Sequence, residues 1–330
     1  AFDLPFPPAR NPWHRAHHPG GSSSGAGASV AAGMVPAALG SDTGGSVRNP
    51  ASCCGIVGIK PTYGRVSRRG VLPLSFSLDN VGPLTRTVED NALVLAAIAG
   101  HAPADPASDP RPVDDYIADL RRGVKGLKIG LIRHFYDEDT VADPEMAAGI
   151  ENAAKLLTGL GAAVTEIRLP PLAQYAACNR VILLSEAYAI HQKDLQTRPE
   201  SYSATTRRRL LPGAFIGAAD YVNATRMREK LVAAFNTAMA GLDAAVTVSG
   251  HETPANISDM QGVERTYGRQ ARAPFNLIGN PAIAIPSGFH SNGLPLALQV
   301  VGLAFDEAMC FRIAWALERE LGLGTRRPPI

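Results

Sequence analysis

The sequence predicts an α/β fold: a mixed, largely parallel β-sheet flanked by helices on both faces. Three observations carry that prediction. Residues 127–167 read strand, helix, strand; Ala244-Ala245-Val246-Thr247-Val248 reads as a buried strand; and two late strands precede an amphipathic closing helix. A β-α-β order needs a crossover, which lays its helix on the sheet with right-handed chirality.

In chain order, the first apolar segment is Val30-Ala31-Ala32-Gly33-Met34-Val35. Thr87-Val88-Glu89-Asp90 reads as a capped helix start, Thr87 being the N-cap with Asp90 three residues on. Val88, Ala92, Leu95, Ala96 and Ala99 then fall on one face, and Gly100 ends the helix. After a Pro/Asp-rich connector from Pro103 to Pro112, Leu127-Lys128-Ile129-Gly130-Leu131-Ile132 reads as a strand. Residues 144–159 follow as an amphipathic helix and Ala163-Val164-Thr165-Glu166-Ile167 as a second strand. Helices are expected at 173–192 and about 218–240. Ala282–Pro286 and Leu296–Gly302 read as strands paired across a Gly/Asn turn at 291–293, before the closing helix at 306–321. No internal repeat is visible.

Two Gly/Ser-dense blocks carry the chemistry: Gly20-Gly21-Ser22-Ser23-Ser24-Gly25-Ala26-Gly27 and Gly40-Ser41-Asp42-Thr43-Gly44-Gly45-Ser46-Val47-Arg48. Glycine permits φ > 0 and leaves room for a ligand, while successive N–H groups in such a turn converge on one concavity suited to an oxyanion. Gly/Ser runs also make flexible linkers, but linkers do not usually open into an apolar segment such as Val30–Val35. Gly21-Ser22-Ser23-Ser24-Gly25 fits the nucleophile elbow G-x-S-x-G, which would make Ser23 the nucleophile. An elbow needs a buried strand just before it, and Asn11–Pro19 is too rich in proline and polar residues to be one. Neither block satisfies a Walker or dinucleotide-binding glycine pattern.

Both blocks closely resemble the amidase signature family. The likeness continues through Pro50–Gly55, Gly58–Ser67, Ser77–Thr87 and Phe275–Gly302, and fits loosely between about 105 and 265. It implies one large α/β domain over 1–330, with Pro103–Pro112 an internal connection. It implies amide hydrolysis through an acyl-enzyme on Ser46. Ser22, preceded by a cis peptide bond and 24 positions earlier, relays the proton. The backbone amides of Thr43, Gly44, Gly45 and Ser46 form the oxyanion hole, with Ser23, Asp42 and Arg48 supporting the loops.

The family's third catalytic group is a lysine well before the cis-serine, whereas none of the 21 residues preceding Ser22 is Lys. The chain is therefore expected to be an incomplete member that lacks its base and is inactive by itself. Lys60 matches a different family position, where packing or fixing a loop is its expected role. Two alternatives stand beside a free-standing amidase: the glutaminase subunit of a transfer-RNA-dependent amidotransferase, and a catalytically silent relative.

Composition agrees with such an enzyme. At 330 residues and 45% hydrophobic the chain can bury a large core. A net charge of +2 gives no case for nucleic acid binding by the chain itself, and Thr206-Arg207-Arg208-Arg209 reads as a solvated helix face. Four cysteines, two of them adjacent at Cys53 and Cys54, make neither a disulfide framework nor a CxxC metal site, and a cytoplasmic location is expected. No run approaches the roughly 18 apolar residues of a membrane span. His14, His17 and His18 are bracketed by Pro12 and Pro19, so they lack the i, i+4 helical presentation of zinc enzymes and read as a loop near the site. The expected ligand is a small-molecule amide, with no metal and no organic cofactor; a homodimer is the oligomeric state allowed for.

Overall fold

The computed structural model describes residues 5–329, so positions 1–4 and 330 of the expected unit lie outside the described residues. One sheet takes strands from most of the chain: β1 (Ala37–Asp42), β2 (Val57–Lys60), β3 (Asn80–Thr85), β4 (Lys128–Leu131), β5 (Ala163–Glu166), β6 (Ala244–Val248), β7 (Ala282–Phe289) and β8 (Pro295–Gly302). Their order is β1-β3-β2-β7-β8-β6-β4-β5. Helices α1 (Ser24–Ala31), α2 (Arg48–Cys54) and α3 (Val88–Ile98) alternate with the first strands, and α4 (His134–Asp137) and α5 (Pro144–Gly159) join β4 to β5. Three helices precede β6: α6 (Leu172–Thr197), α7 (Ala204–Leu210) and α8 (Ala218–Ala238). Next come α9 (Met260–Gly268), α10 (Ala273–Leu277) and, after β8, α11 (Glu307–Leu321).

The α/β class and the mixed sheet are as expected, but the parallel share is smaller than the strand-helix-strand reading implies. Among the described residues only β4–β5 and β4–β6 pair in parallel; the other five pairings are antiparallel. The cause lies in the connections. Parallel neighbours need a long crossover, and α4 with α5 supplies one between β4 and β5. The turn between β7 and β8 and the helix-free stretch between β2 and β3 reverse the chain instead. The hairpin keeps Ile283 opposite Val300 and Ile285 opposite Leu298, then shifts register between Pro286 and Gly288.

Helices cover both faces. At Gly58 a Cβ would lie 2.8 Å from that of Ala51, so α2 rides directly on β2 and the sheet admits only glycine there. At Gly302 a Cβ would lie 2.7 Å from the Cys310 sulfur of α11. Gln299, of opposite parity on β8, instead meets Arg48 of α2, so α2 and α11 occupy opposite faces. Val57, Ile59, Val246, Val248, Leu298 and Val300 are all buried between these layers.

Side-chain caps set several helix starts. Thr87 accepts from the Asp90 amide at 3.1 Å, Asp143 from that of Glu145 at 2.9 Å, and Asp306 from that of Met309 at 3.1 Å. The buried stripe of α3 is Val88, Asn91, Ala92 and Leu95, while the expected Ala96 is exposed. Asn91 takes a core position because its Nδ2 bonds the Pro83 carbonyl at 3.1 Å and the Thr85 hydroxyl at 2.9 Å. The Gly/Ser block is no linker. Residues 24–31 form α1, whose Val30 and Ala31 are buried.

Candidate active site

The Gly/Ser blocks meet at one end of α2. Asp42 ends β1, residues 43–47 turn, and α2 starts at Arg48. The turn is held from inside by the Asp42 carboxylate, which is fully buried. It accepts the amides of Gly45 at 2.7 Å, Val47 at 3.1 Å and Arg48 at 3.3 Å, and the Arg48 guanidinium through Nε and Nη2, both at 3.1 Å. Burial alone would raise the Asp42 pKa; the Arg48 charge and hydrogen bonds, with Asn276, outweigh it and hold the carboxyl well below the usual range.

Two residues absent from the sequence-based site complete this framework. Asn276 donates from Nδ2 to Asp42 Oδ1 at 2.8 Å and accepts from Arg48 Nη2 at 2.5 Å. Gln299 accepts from Arg48 Nη1 at 3.0 Å and donates to the carbonyls of Val248 and Ala271 at 2.8 and 2.7 Å. A visible signal existed for Gln299, the one amide side chain inside the apolar run Leu296–Val301. Such a residue in a central strand must find partners, and here it finds the arginine next to the turn.

The second turn packs against the first. Gly20 adopts φ +82°, and a Cβ there would lie 2.7 Å from Pro50 Cα, so the backbone of 20–22 lies directly on α2. The Gly21–Ser22 peptide bond is cis. The Ser23 amide donates to the Ser46 carbonyl at 3.2 Å, tying the two serine-bearing turns together. The Ser23 hydroxyl lies over Gly40 and points to the Ser41 carbonyl at 3.5 Å. Ser22 is exposed and Ser46 half-buried.

Of the four amides expected in the oxyanion hole, that of Gly45 is committed to the Asp42 carboxylate, which corrects its assignment as a free donor. Its φ is +126°, a conformation that favours glycine. No side-chain acceptor among the described residues takes the amides of Thr43, Gly44 or Ser46. Thr43 is steered by its hydroxyl, which donates to Asp79 at 2.6 Å. Asp79 in turn accepts the amides of Leu74 and Ser75 at 2.8 and 2.9 Å, and Glu186 of α6 accepts that of Ser77 at 3.0 Å. Asn179 of α6 sits over Gly44.

The neighbouring bases have partners of their own. Lys60 is fully buried on β2 and donates from Nζ to the Pro61 carbonyl at 2.7 Å. Burial, then repulsion from Arg48, brings its pKa down to about 7. His18 accepts the Gly20 amide on Nδ1 at 3.0 Å, and burial followed by His17 lowers it to about 4. His17 Nδ1 meets the Pro254 carbonyl at 2.6 Å. Among the described residues no group of three or more His, Cys, Asp or Glu could hold a metal ion. The four cysteines are free and buried.

Comparison with known proteins agrees with this architecture. The family model described as amidase matches residues 3–311. A glutamyl-tRNA(Gln) amidotransferase subunit of Halothermothrix orenii is 36% identical over 350 residues, covering 98% of this chain and 73% of that protein. The crystal structure of the corresponding Thermotoga maritima protein superposes with a TM-score of 0.83 at 39% identity, over 95% of this chain and 69% of that one. A peptide amidase bound to the inhibitor chymostatin gives 0.81 at 33%, over 97% and 70%. With a family match over most of its length and relatives of this similarity, the chain belongs to the amidase signature family of amide-hydrolysing enzymes.

Proposed function

We propose that the protein hydrolyses a small carboxylic amide through an acyl-enzyme on Ser46. Ser46 attacks the carbonyl, its proton passing to Ser22. The amides of Thr43, Gly44 and Ser46 stabilise the tetrahedral oxyanion, Ser22 protonates the leaving nitrogen, and water releases the acid. The observation that carries this reading is the Ser23 amide bonded to the Ser46 carbonyl at 3.2 Å, which brings the turn of Ser22 against that of Ser46. Asp42 and Arg48 hold the loop and take no part in the chemistry. The base that drains Ser22 is, by family likeness, a lysine, and no lysine occurs among residues 1–21.

Residues 1–330 are taken as one unit, since a single sheet draws strands from Ala37 to Gly302. Four free, buried thiols suit a reducing cytoplasm. Among the described residues no helix is long and apolar enough to cross a membrane.

A second reading is favoured by the relatives named as amidotransferase subunits: a glutaminase that hands ammonia to partner chains. Ammonia release from simple aliphatic and aryl amides, compared with glutamine in the presence and absence of co-purified partners, separates the two. Turnover of simple amides without partners supports the free-standing amidase; activity confined to glutamine with partners supports the amidotransferase role. No ammonia from any amide, with Ser46 unreactive, would support a silent relative.

A further inference from the structure

Behind the two serine-bearing turns lies a cavity of about 20 Å³, lined by Arg272, Asn49, Cys53, His18 and Glu252 among others. Arg272 is 3% exposed and packs against Gly45, where a Cβ would lie 2.6 Å from its Nε. Of its guanidinium nitrogens only Nη1 finds an acceptor among the described residues, the Ser249 carbonyl at 2.9 Å with the Ser249 hydroxyl at 3.5 Å. Nε has none. No carboxylate among the described residues lies within ion-pair distance of Arg272, although Arg48 close by has Asp42. The second orphan on the cavity is Asn49 Nδ2, buried without a partner, while Asn49 Oδ1 takes the Cys53 thiol at 3.3 Å.

The neighbours supply no uncommitted counter-charge, the nearby Asp42 carboxylate being taken by Arg48. Burial raises the Cys53 pKa to about 12, so it stays a thiol. Glu252, the carboxylate on the cavity wall, pairs with Arg265 at 3.2 Å and with Arg269. His18 is neutral above about pH 4. A buried cation left without a partner is strongly unfavourable, and two unmet donors on one cavity call for an acceptor that carries negative charge. The volume admits only a small species.

We propose that this cavity is a binding site for one small monovalent anion of halide size, held by Arg272 and Asn49 directly behind the Gly45 turn. A bound anion would neutralise Arg272 and fix the guanidinium against Gly45, so that site order depends on the salt present. Such a site is independent of the proposed reaction, and its test reads no activity.

Crystals of the full chain soaked in sodium bromide should show one anomalous peak between Arg272 and Asn49; a peak-free cavity holding only water would overturn the proposal. In solution, Tm measured in sodium chloride against sodium gluconate at equal ionic strength should show a saturable rise of a few degrees in chloride. Arg272→Met should abolish it. Asn49→Ala, which keeps the charge and removes one donor, should raise the half-effect chloride concentration about tenfold, and this holds the test open should the arginine variant fail to fold. Equal Tm in both salts, or a chloride response unchanged in both variants, would rule the site out.

Discussion

The carboxylate of Asp42 meets the guanidinium of Arg48 at 3.1 Å with both side chains fully buried, and the same carboxylate gathers three backbone amides of the turn between them. The pair is the inner frame of the Ser46 turn. Removing one partner of such a pair strands the other charge, at a cost of about 3–5 kcal/mol. Asp42→Asn should therefore lower Tm strongly and abolish turnover, as read by calorimetry and ammonia release. A variant as stable as the wild type would contradict the framing role.

The same pair sets a pH dependence. Asp42 has a folded pKa below its unfolded value of 3.8, so its contribution is fully present above that value and is lost as pH falls below it. The stability gap between wild type and Asp42→Asn should narrow below about pH 4. Denaturant titrations across that range check it, and a gap that widens in acid would show the sign to be wrong.

Lys60 gives a slope of the same sign in a higher pH window. Its pKa falls from 10.5 to about 7 in the fold, so between those values the unfolded chain binds the extra proton and stability rises with pH. Lys60→Met should remove that rise while leaving acyl transfer within about tenfold of wild type. Loss beyond ~10²-fold, with fold intact, would make Lys60 the base that accepts the proton from Ser22.

Gly45 combines φ +126° with the Arg272 side chain against its Cα. Gly45→Ala should cost at least ~2 kcal/mol and turnover with it, because the methyl group must displace a buried guanidinium and the left-handed backbone is strained. A calorimetric Tm unchanged by the substitution would refute this.

Much of the fold could be read from the sequence where a local signal was strong. The cap Thr87, the amphipathic 144–159 helix, the buried run Ala244–Val248 and the β7–β8 hairpin each carry their own periodicity or turn. The strands beside the site were not legible in that way. β1 and β3 contain Gly40, Gly82 and Pro83, which weaken strand propensity; they form because they pair with each other, Leu39 opposite Pro83 and Gly40 opposite Gly82. α1 escaped for a related reason. Its glycines look flexible, yet a Cβ at Gly27 would lie 2.7 Å from that of Pro50, so the residue is fixed by helix contact. Ser22, Ser46, Asp42 and Arg48 were reached from the motifs and their likeness, whereas Asn276 joins the site from 234 positions beyond Asp42, a contact no local pattern encodes.

Replacing either Ser46 or Ser22 by Ala should reduce turnover by at least ~10²–10³ with little change in Tm, since each would remove one member of a coupled acyl-transfer unit. An equal loss for Ser24→Ala, on the half-buried start of α1, would point to a fold effect instead.

The most direct test of the central claim is covalent. An activated acyl probe or a phosphonofluoridate, incubated with active enzyme and mapped by peptide mass spectrometry, should modify Ser46, and the adduct should disappear in Ser46→Ala. An adduct on Ser23 or Ser24 with Ser46 unmodified would contradict the account.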